Sequence, residues 1–350
     1  MASGGVFGSS LILSDGTVRS WGFNNYGQIG NGNSGNHIGD QNGEFPNNAV
    51  TQLPAPAVEV ARGRFHGVAL LNDGRVFGWG DGSYGALGTG SYARRPTPAE
   101  FILPDGVKGA QIDAEFYSTC VVTTEGALYC SGLNNEGQLG IGNTAHQATP
   151  VRVNLGSRKA QKVARAWFST CVLTTDAEVL CWGRGAYGQT GRGNSQRVVS
   201  PPSTPIDFGD KTVADIDGAE QHYCALFTDG TMGCWGLNGN GQLGVGHRNN
   251  MGDHPNEMRS LGNPSVNSGQ SWVRIWAGRL STFAQRDDGT VWAWGASIQC
   301  KHGTGSCSSV NPQPRIVNRM IDNDDVVVDI AIMWDTVCVG MSDGGMKCIG

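Results

Sequence analysis

The sequence predicts an all-β fold: a seven-bladed β-propeller with disulfide-bridged hairpins, formed as one domain over 1–350. Three observations predict it. A strand–turn–strand pattern occurs seven times, a glycine-rich segment follows most copies, and one anchor position returns every 51 to 59 residues. A unit of that length fits one small sheet per repeat. One such sheet cannot bury its own faces, whereas seven stacked around an axis share a continuous core and leave only short edges.

The seven copies begin at Leu11 (LILSDGTVRSWG), Val68 (VALLNDGRVFGWG), Cys120 (CVVTTEGALYCSG), Cys171 (CVLTTDAEVLCWG), Cys224 (CALFTDGTMGCWG), Phe283 (FAQRDDGTVWAWG) and Cys338 (CVGMSDGGMKCIG). Asp-Gly or Glu-Gly between two apolar runs marks a hairpin, with glycine taking positive φ. The alternation in T-V-R-S-W and R-V-F-G-W is that of strands. Approximate repeat units are 1–53, 54–105, 106–156, 157–209, 210–267, 268–321 and 322–350. The anchor position holds Trp21, Trp79, Ser131, Trp182, Trp235, Trp294 and Ile349, and its tryptophans read as packing between repeats. The first copy starts at its inner part and the last stops at its anchor. Unusual closure at the termini and trimming of a longer chain both fit that arrangement.

The second signature appears as FNNYGQIGNG from Phe23, DGSYGALGTG from Asp81, LNNEGQLGIG from Leu133, RGAYGQTGRG from Arg184 and LNGNGQLGVG from Leu237. ASIQCKHGTG from Ala296 keeps only its glycine endpoints. These glycines read as a tight turn linking one repeat to the next. No G-x-x-x-x-G-K-[ST] and no strand–turn–helix context accompanies them, so neither a phosphate nor a dinucleotide site is expected, and no cofactor.

The composition has 54 glycines and 14 prolines without a Gly-X-Y period, which excludes collagen. The balance of 25 basic and 30 acidic residues, with no basic run, argues against nucleic-acid binding. No apolar stretch approaches the roughly 20 residues of a membrane span. Met1–Gly5 shows no signal peptide. That start suits a chain whose natural leader was replaced and equally a leaderless cytosolic one.

The motifs G-x-V-x-x-W-G and N-x-x-G-Q-L-G together resemble the RCC1 repeat family over nearly the whole chain. The resemblance implies a seven-bladed propeller with four-stranded blades. It implies no single function, because its members include exchange factors for a small nuclear GTPase, plant ultraviolet photoreceptors and secreted bacterial inhibitors of β-lactamase. The chain departs from the exchange factors in lacking a basic tail and in its paired cysteines. It departs from the photoreceptors in lacking a Gly-Trp-Arg-His-Thr stretch. A secreted, bacterial-type member is the expectation, with the inhibitor as the nearer analogy and its target not carried over.

Four cysteine pairs lie ten residues apart and bracket hairpin turns: Cys120–Cys130, Cys171–Cys181, Cys224–Cys234 and Cys338–Cys348. The ends of such a segment face each other in an antiparallel hairpin, within disulfide reach. Cys300–Cys307 is a fifth local pair. Ser10/Ser20, Val68/Gly78 and Phe283/Ala293 fill the same positions elsewhere, which marks them as packing sites. Ten cysteines with none left over suggest an oxidising compartment, secreted or periplasmic. Zinc would need ligands that converge, and these pairs sit on separate repeats, so no metal is expected. His222, beside Cys224, occupies the repeat position of His66 and reads as structural rather than as a base.

The column fifteen residues before the anchor holds Val6, Arg64, Phe116, Trp167, Glu220, Arg279 and Trp334. The next holds Phe7, Phe65, Tyr117, Phe168, Gln221, Leu280 and Asp335. A purely structural column should look alike in every repeat, and this one mixes aromatic, basic and acidic residues. The resemblance places it on one mouth of the ring. Aromatic residues and arginines are common interface anchors. Trp167, Trp334, Phe116, Arg64, Arg279, Glu220, Phe168 and Tyr117 are therefore the candidate partner-binding residues, on a chain expected to be monomeric. The partner is expected to be a protein, with a glycan as the other option.

Long linkers from Asn33 to Pro54, Asn194 to Asp210 and His247 to Gln270 are second candidates, the last with Met251, His254 and Met258. The acidic run Asp322, Asp324, Asp325 lacks EF-hand spacing and reads as a strand start. No catalytic residue is assigned. A lyase or hydrolase acting on carbohydrate, using carboxylates such as Asp113, Glu115 and Asp335, is one alternative. A guanine-nucleotide exchange factor is the other.

Overall fold

The computed structural model describes residues 2–5, 8–39, 49–264, 270–296, 310–317, 321, 325–332 and 336–349. These form seven antiparallel sheets, each from consecutive strands. The first is β1 (Ala2–Gly5), β2 (Gly8–Ile12) and β3 (Val18–Gly22). The second is β4 (Ala57–Arg62), β5 (His66–Leu71), β6 (Val76–Gly80) and β7 (Arg95–Glu100). The third is β8 (Gly109–Glu115), β9 (Ser118–Thr123), β10 (Leu128–Gly132) and β11 (Gln147–Val153). The fourth is β12 (Ala160–Arg165), β13 (Ser169–Thr174) and β14 (Val179–Gly183). The fifth is β15 (Val213–Ala219), β16 (His222–Phe227) and β17 (Met232–Gly236). The sixth is β18 (Trp272–Gly278), β19 (Ser281–Arg286), β20 (Val291–Ala296) and β21 (Val310–Ile316). The seventh is β22 (Val327–Ile332), β23 (Val337–Met341) and β24 (Met346–Ile349).

This corrects the expected closed propeller of four-stranded blades. Among the described residues only the second, third and sixth sheets have four strands, and no sheet joins strands from two repeats or from the two ends of the chain. The sheets are not closed on one another by strand pairing. In three of the three-stranded sheets the fourth strand shrinks to isolated bridges: Arg19↔Val50 and Gly22↔Ile38, Gly183↔Val198, and Gly236↔Met251. The chain around each bridge is one of the long linkers. Their proline and glycine content, as in Pro201, Pro202 and Pro205, removes donors and regular φ/ψ and prevents a continuous ladder.

Side-chain packing fills the space between the sheets. One core cluster combines Leu173, Val179 and Cys181 of the fourth sheet with Ile216, Tyr223, Phe227 and Trp235 of the fifth. Another joins Val122, Leu128 and Cys130 of the third to Val163, Leu180 and Trp182 of the fourth. Neither sheet of a pair buries these residues alone, so the repeat is the unit of sequence and the sheet pair the unit of stability.

The two repeat signatures meet in this packing. Trp79, Trp182, Trp235 and Trp294 are fully buried. Each indole Nε1 donates to a main-chain carbonyl in the preceding glycine-rich loop: Gln28 (2.9 Å), Gln138 (3.1 Å), Gln189 (3.0 Å) and Gln242 (2.8 Å). The loop is held from inside. Asn134 Oδ1 accepts the Leu139 N–H at 2.9 Å and Gln138 Oε1 accepts the Glu136 N–H at 2.9 Å. At Gly140, φ is +72° and a Cβ would sit 2.5 Å from the Trp182 indole nitrogen, so only glycine lets the loop lie on the ring. The anchor tryptophans therefore pack between sheets.

The cysteines follow the register. Cys120 faces Cys130, Cys171 faces Cys181, Cys224 faces Cys234 and Cys338 faces Cys348 across their hairpins. All four form disulfides, with Cα atoms 4.0–4.1 Å apart. Cys300 and Cys307 lie outside the described residues. His66 and His222 are buried and bond the hydroxyls of Thr119 (3.1 Å) and Thr282 (2.9 Å) in the next sheet, a structural role for both. No helix among the described residues is long and apolar enough to cross a membrane.

Candidate functional site: an aromatic belt at the strand tips

The candidate residues sit at the tips joining the first and second strands of each sheet. Phe116 and Tyr117 form the turn from β8 to β9, Trp167 and Phe168 lie between β12 and β13, and Arg64 and Phe65 lie between β4 and β5. Neighbouring tips are tied through the main chain. The Arg64 N–H donates to the Phe116 carbonyl at 2.7 Å and the Trp167 N–H to the Glu220 carbonyl at 2.8 Å. Phe116 (φ +52°), Glu220 (+50°) and Leu280 (+53°) are held in the left-handed region, which side chains of this size rarely occupy.

Ring contacts bring five candidates into one surface. Phe116 stacks on Trp167 with centroids 5.1 Å apart, and it meets Phe168 edge-on at 5.2 Å and Tyr117 at 4.8 Å. The Arg64 guanidinium lies 5.1 Å from the Phe65 centroid and 5.3 Å from that of Phe116. All of them are half-buried, with the rings partly open to solvent.

The belt extends through residues that the repeat columns did not select. Phe65 reaches Tyr26 (4.7 Å) and Phe23 (6.1 Å), and Tyr117 reaches Tyr84 (5.2 Å). Arg184 lies over Phe168 and Tyr187 at 5.8 and 5.3 Å. Tyr26, Tyr84 and Tyr187 share one position in the glycine-rich loop, where other repeats have Glu136 and Asn240. That variability is the same signal that marked the tip column, and applying it to the loop would have found them.

Glu220 and Arg279 stand apart. Arg279 Nε lies 3.2 Å from Glu220 Oε1, and the Glu220 side chain is 6 % exposed, so this pair of tips is closed on itself. Trp334 lies outside the described residues.

Beneath the tips, the first strands carry carboxylates that tie successive sheets. Glu59 Oε2 accepts the Ile112 N–H (2.9 Å), Asp113 Oδ2 that of Arg165 (2.7 Å) and Asp217 Oδ2 that of Ala277 (2.7 Å). Lys162 Nζ pairs with Asp215 at 2.7 Å. These carboxyls keep some solvent contact, but protein surrounds them closely. Burial first, and the neighbouring carboxylates next, raise Asp113 to about 7 and Glu115 to about 8; burial also raises Glu59 to about 7 and Asp217 to about 6. Asp113, one of the carboxylates considered for carbohydrate chemistry, thus holds a neighbouring strand; Asp335 lies outside the described residues.

Of the second candidates, the linkers 194–210 and 247–270 border a cavity of about 320 Å³ lined by Arg192, Asp207, His254 and Met258 among others. Much of Asn33–Pro54, and Asp322 and Asp324, lie outside the described residues. Asp253, His254 and Glu257 bring ligand atoms within 4.8 Å of one another. Glu257 Oε2 is already taken by the Gly252 and His254 N–H groups, so the cluster reads as a loop brace.

Comparison with known proteins agrees with the repeat reading. The family model described as RCC1-like domain matches residues 2–268. The Arabidopsis thaliana ultraviolet-B receptor UVR8 is 28 % identical over 311 residues, covering 87 % of this chain and 66 % of the receptor, so the chain spans just under two thirds of that relative. Human WBSCR16 superposes with a TM-score of 0.78 at 20 % identity, over 99 % of this chain and 85 % of that one. Prp20p from Saccharomyces cerevisiae, described with its binding to Gsp1p and histones, gives 0.76 at 22 % identity, over 94 % and 79 %. At these identities the two structures establish likeness of fold.

Proposed function

Because the chain belongs to the RCC1-like domain family, we propose that it is a protein-binding module whose partner docks on the aromatic belt. The observation that carries this reading is the contiguous run of half-exposed rings from Phe23 through Phe65, Tyr117 and Phe116 to Trp167 and Phe168. Rigid aromatic residues with arginines among them give large contact area at low entropic cost.

Two finer readings share this surface. One is an inhibitor or recognition protein working outside the cytosol, which the four hairpin disulfides support. The other is exchange on a small GTPase. The likeness to Prp20p, whose described partners are the proteins Gsp1p and histones, favours this second reading over an inhibitor.

The test is affinity capture with the parent chain and a folded Phe116→Ala/Trp167→Ala variant, with mass spectrometry of what is bound. A protein held by the parent and lost by the variant supports the belt. If that protein is a small GTPase, release of a fluorescent guanine nucleotide decides between the finer readings. Equal capture by both chains would move the site to the long linkers.

A further inference from the structure

We infer that the belt receives an acidic segment of its protein partner, an extended stretch with carboxylates on either side of a short apolar run. The inference rests on the belt being the partner face. Its ground is the state of two arginines. Arg64 and Arg184 each lie over two aromatic rings, at 5.1 and 5.3 Å and at 5.8 and 5.3 Å. Neither has a carboxylate partner among the described residues; Arg64 Nε is buried, so a carboxylate would meet the outer Nη1 and Nη2 groups. By contrast Arg279, at the same repeat position as Arg64, is spent on Glu220. A ring satisfies the flat face of a guanidinium and leaves its N–H edge, which matches a carboxylate bidentately.

The two cations flank the Phe116–Trp167 stack and the Phe168 ring, so a ligand that fits is anionic at both ends and apolar between them. The chain as a whole carries a net charge of −5, and the rings of the belt carry arginines, with Arg94 over Tyr26 at 4.8 Å besides Arg64 and Arg184. Complementary charge at such positions steers a partner and selects among partners.

The experiment uses the intact chain and a labelled peptide with Asp-Glu at each end and Leu-Phe between. Its Asn-Gln isostere and a single-stranded oligonucleotide are the comparisons. The acidic peptide is expected to bind about tenfold tighter than the isostere, with the advantage falling as salt rises and vanishing in Arg64→Gln/Arg184→Gln. Arg64→Lys should keep part of it. Equal binding of the two peptides, an acidic peptide indifferent to the arginine change, or preference for the oligonucleotide would each overturn the inference. Partner capture separates the two levels. A partner lost by Phe116→Ala/Trp167→Ala but kept by Arg64→Gln/Arg184→Gln overturns the carboxylate inference and leaves the belt standing. A partner indifferent to both variants overturns both. Melting curves confirm that each variant folds.

Discussion

Phe116 and Trp167 belong to different sheets, yet their rings stack 5.1 Å apart with planes 26° from parallel. The contact exists because both repeats place an aromatic residue at the same tip, and because the third and fourth sheets pack on a shared core. A surface assembled in this way depends on the packing between sheets, and the first predictions test that packing.

Gly140 and Gly142 both have positive φ, +72° and +81°, but only Gly140 lies against Trp182. Gly142→Ala should cost about 1 kcal/mol from backbone strain alone. Gly140→Ala adds a clash with a buried indole and should cost about 2–3 kcal/mol. Urea unfolding of the two variants measures the difference.

Trp182→Phe removes the hydrogen bond from Nε1 to the Gln138 carbonyl and part of the ring volume. That carbonyl keeps the Thr170 hydroxyl at 2.7 Å, so it is not orphaned. A loss of about 2 kcal/mol is expected, read by the same unfolding experiment.

Ala177 stands where each of the other six hairpins carries the glycine of Asp-Gly or Glu-Gly, and its φ is +59°. Ala177→Gly relieves a left-handed alanine and should stabilise the fold by about 0.5–1 kcal/mol, despite the greater freedom glycine gives the unfolded chain. A higher melting temperature checks it.

The tie carboxylates, with Glu115 beside them, set a pH dependence. Glu59, Asp113, Glu115 and Asp217 have folded pKa values raised to about 7, 7, 8 and 6. A raised carboxyl contributes stability that is fully present below its unfolded value near 4 and is lost as pH rises through its folded value. The melting temperature should therefore fall between about pH 4 and pH 8. Asp113→Asn keeps an oxygen for the Arg165 N–H and removes one titration, so the fall should be shallower. A melting temperature that rises across this window would contradict the assignment.

The features legible in the sequence are those that repeat within one hairpin or at one fixed spacing. The disulfides at Cys120–Cys130 and its three counterparts followed from the register of a short turn, and the buried tryptophans from their recurrence. What was not legible depends on contacts between repeats or on irregular chain. The fourth strands gave way to single bridges such as Gly183↔Val198 because the linkers lack a strand pattern, and the ring was read from the stacking of seven repeats, a pattern that carries no information on strand pairing between them. At the site, the tip column pointed to Phe116, Trp167 and Arg64. It could not tell that Glu220 would be spent on Arg279, 59 residues away, nor that Tyr26 and Tyr84 would join from the loops.

The most direct test of the belt is amide hydrogen exchange on the chain alone and with its captured partner. Protection confined to the tips at 64–65, 116–117 and 167–168 and to the glycine-rich loops around Tyr26 and Tyr84 is the expected result. Protection confined to 194–210 and 247–270, with the tips unchanged, would contradict it.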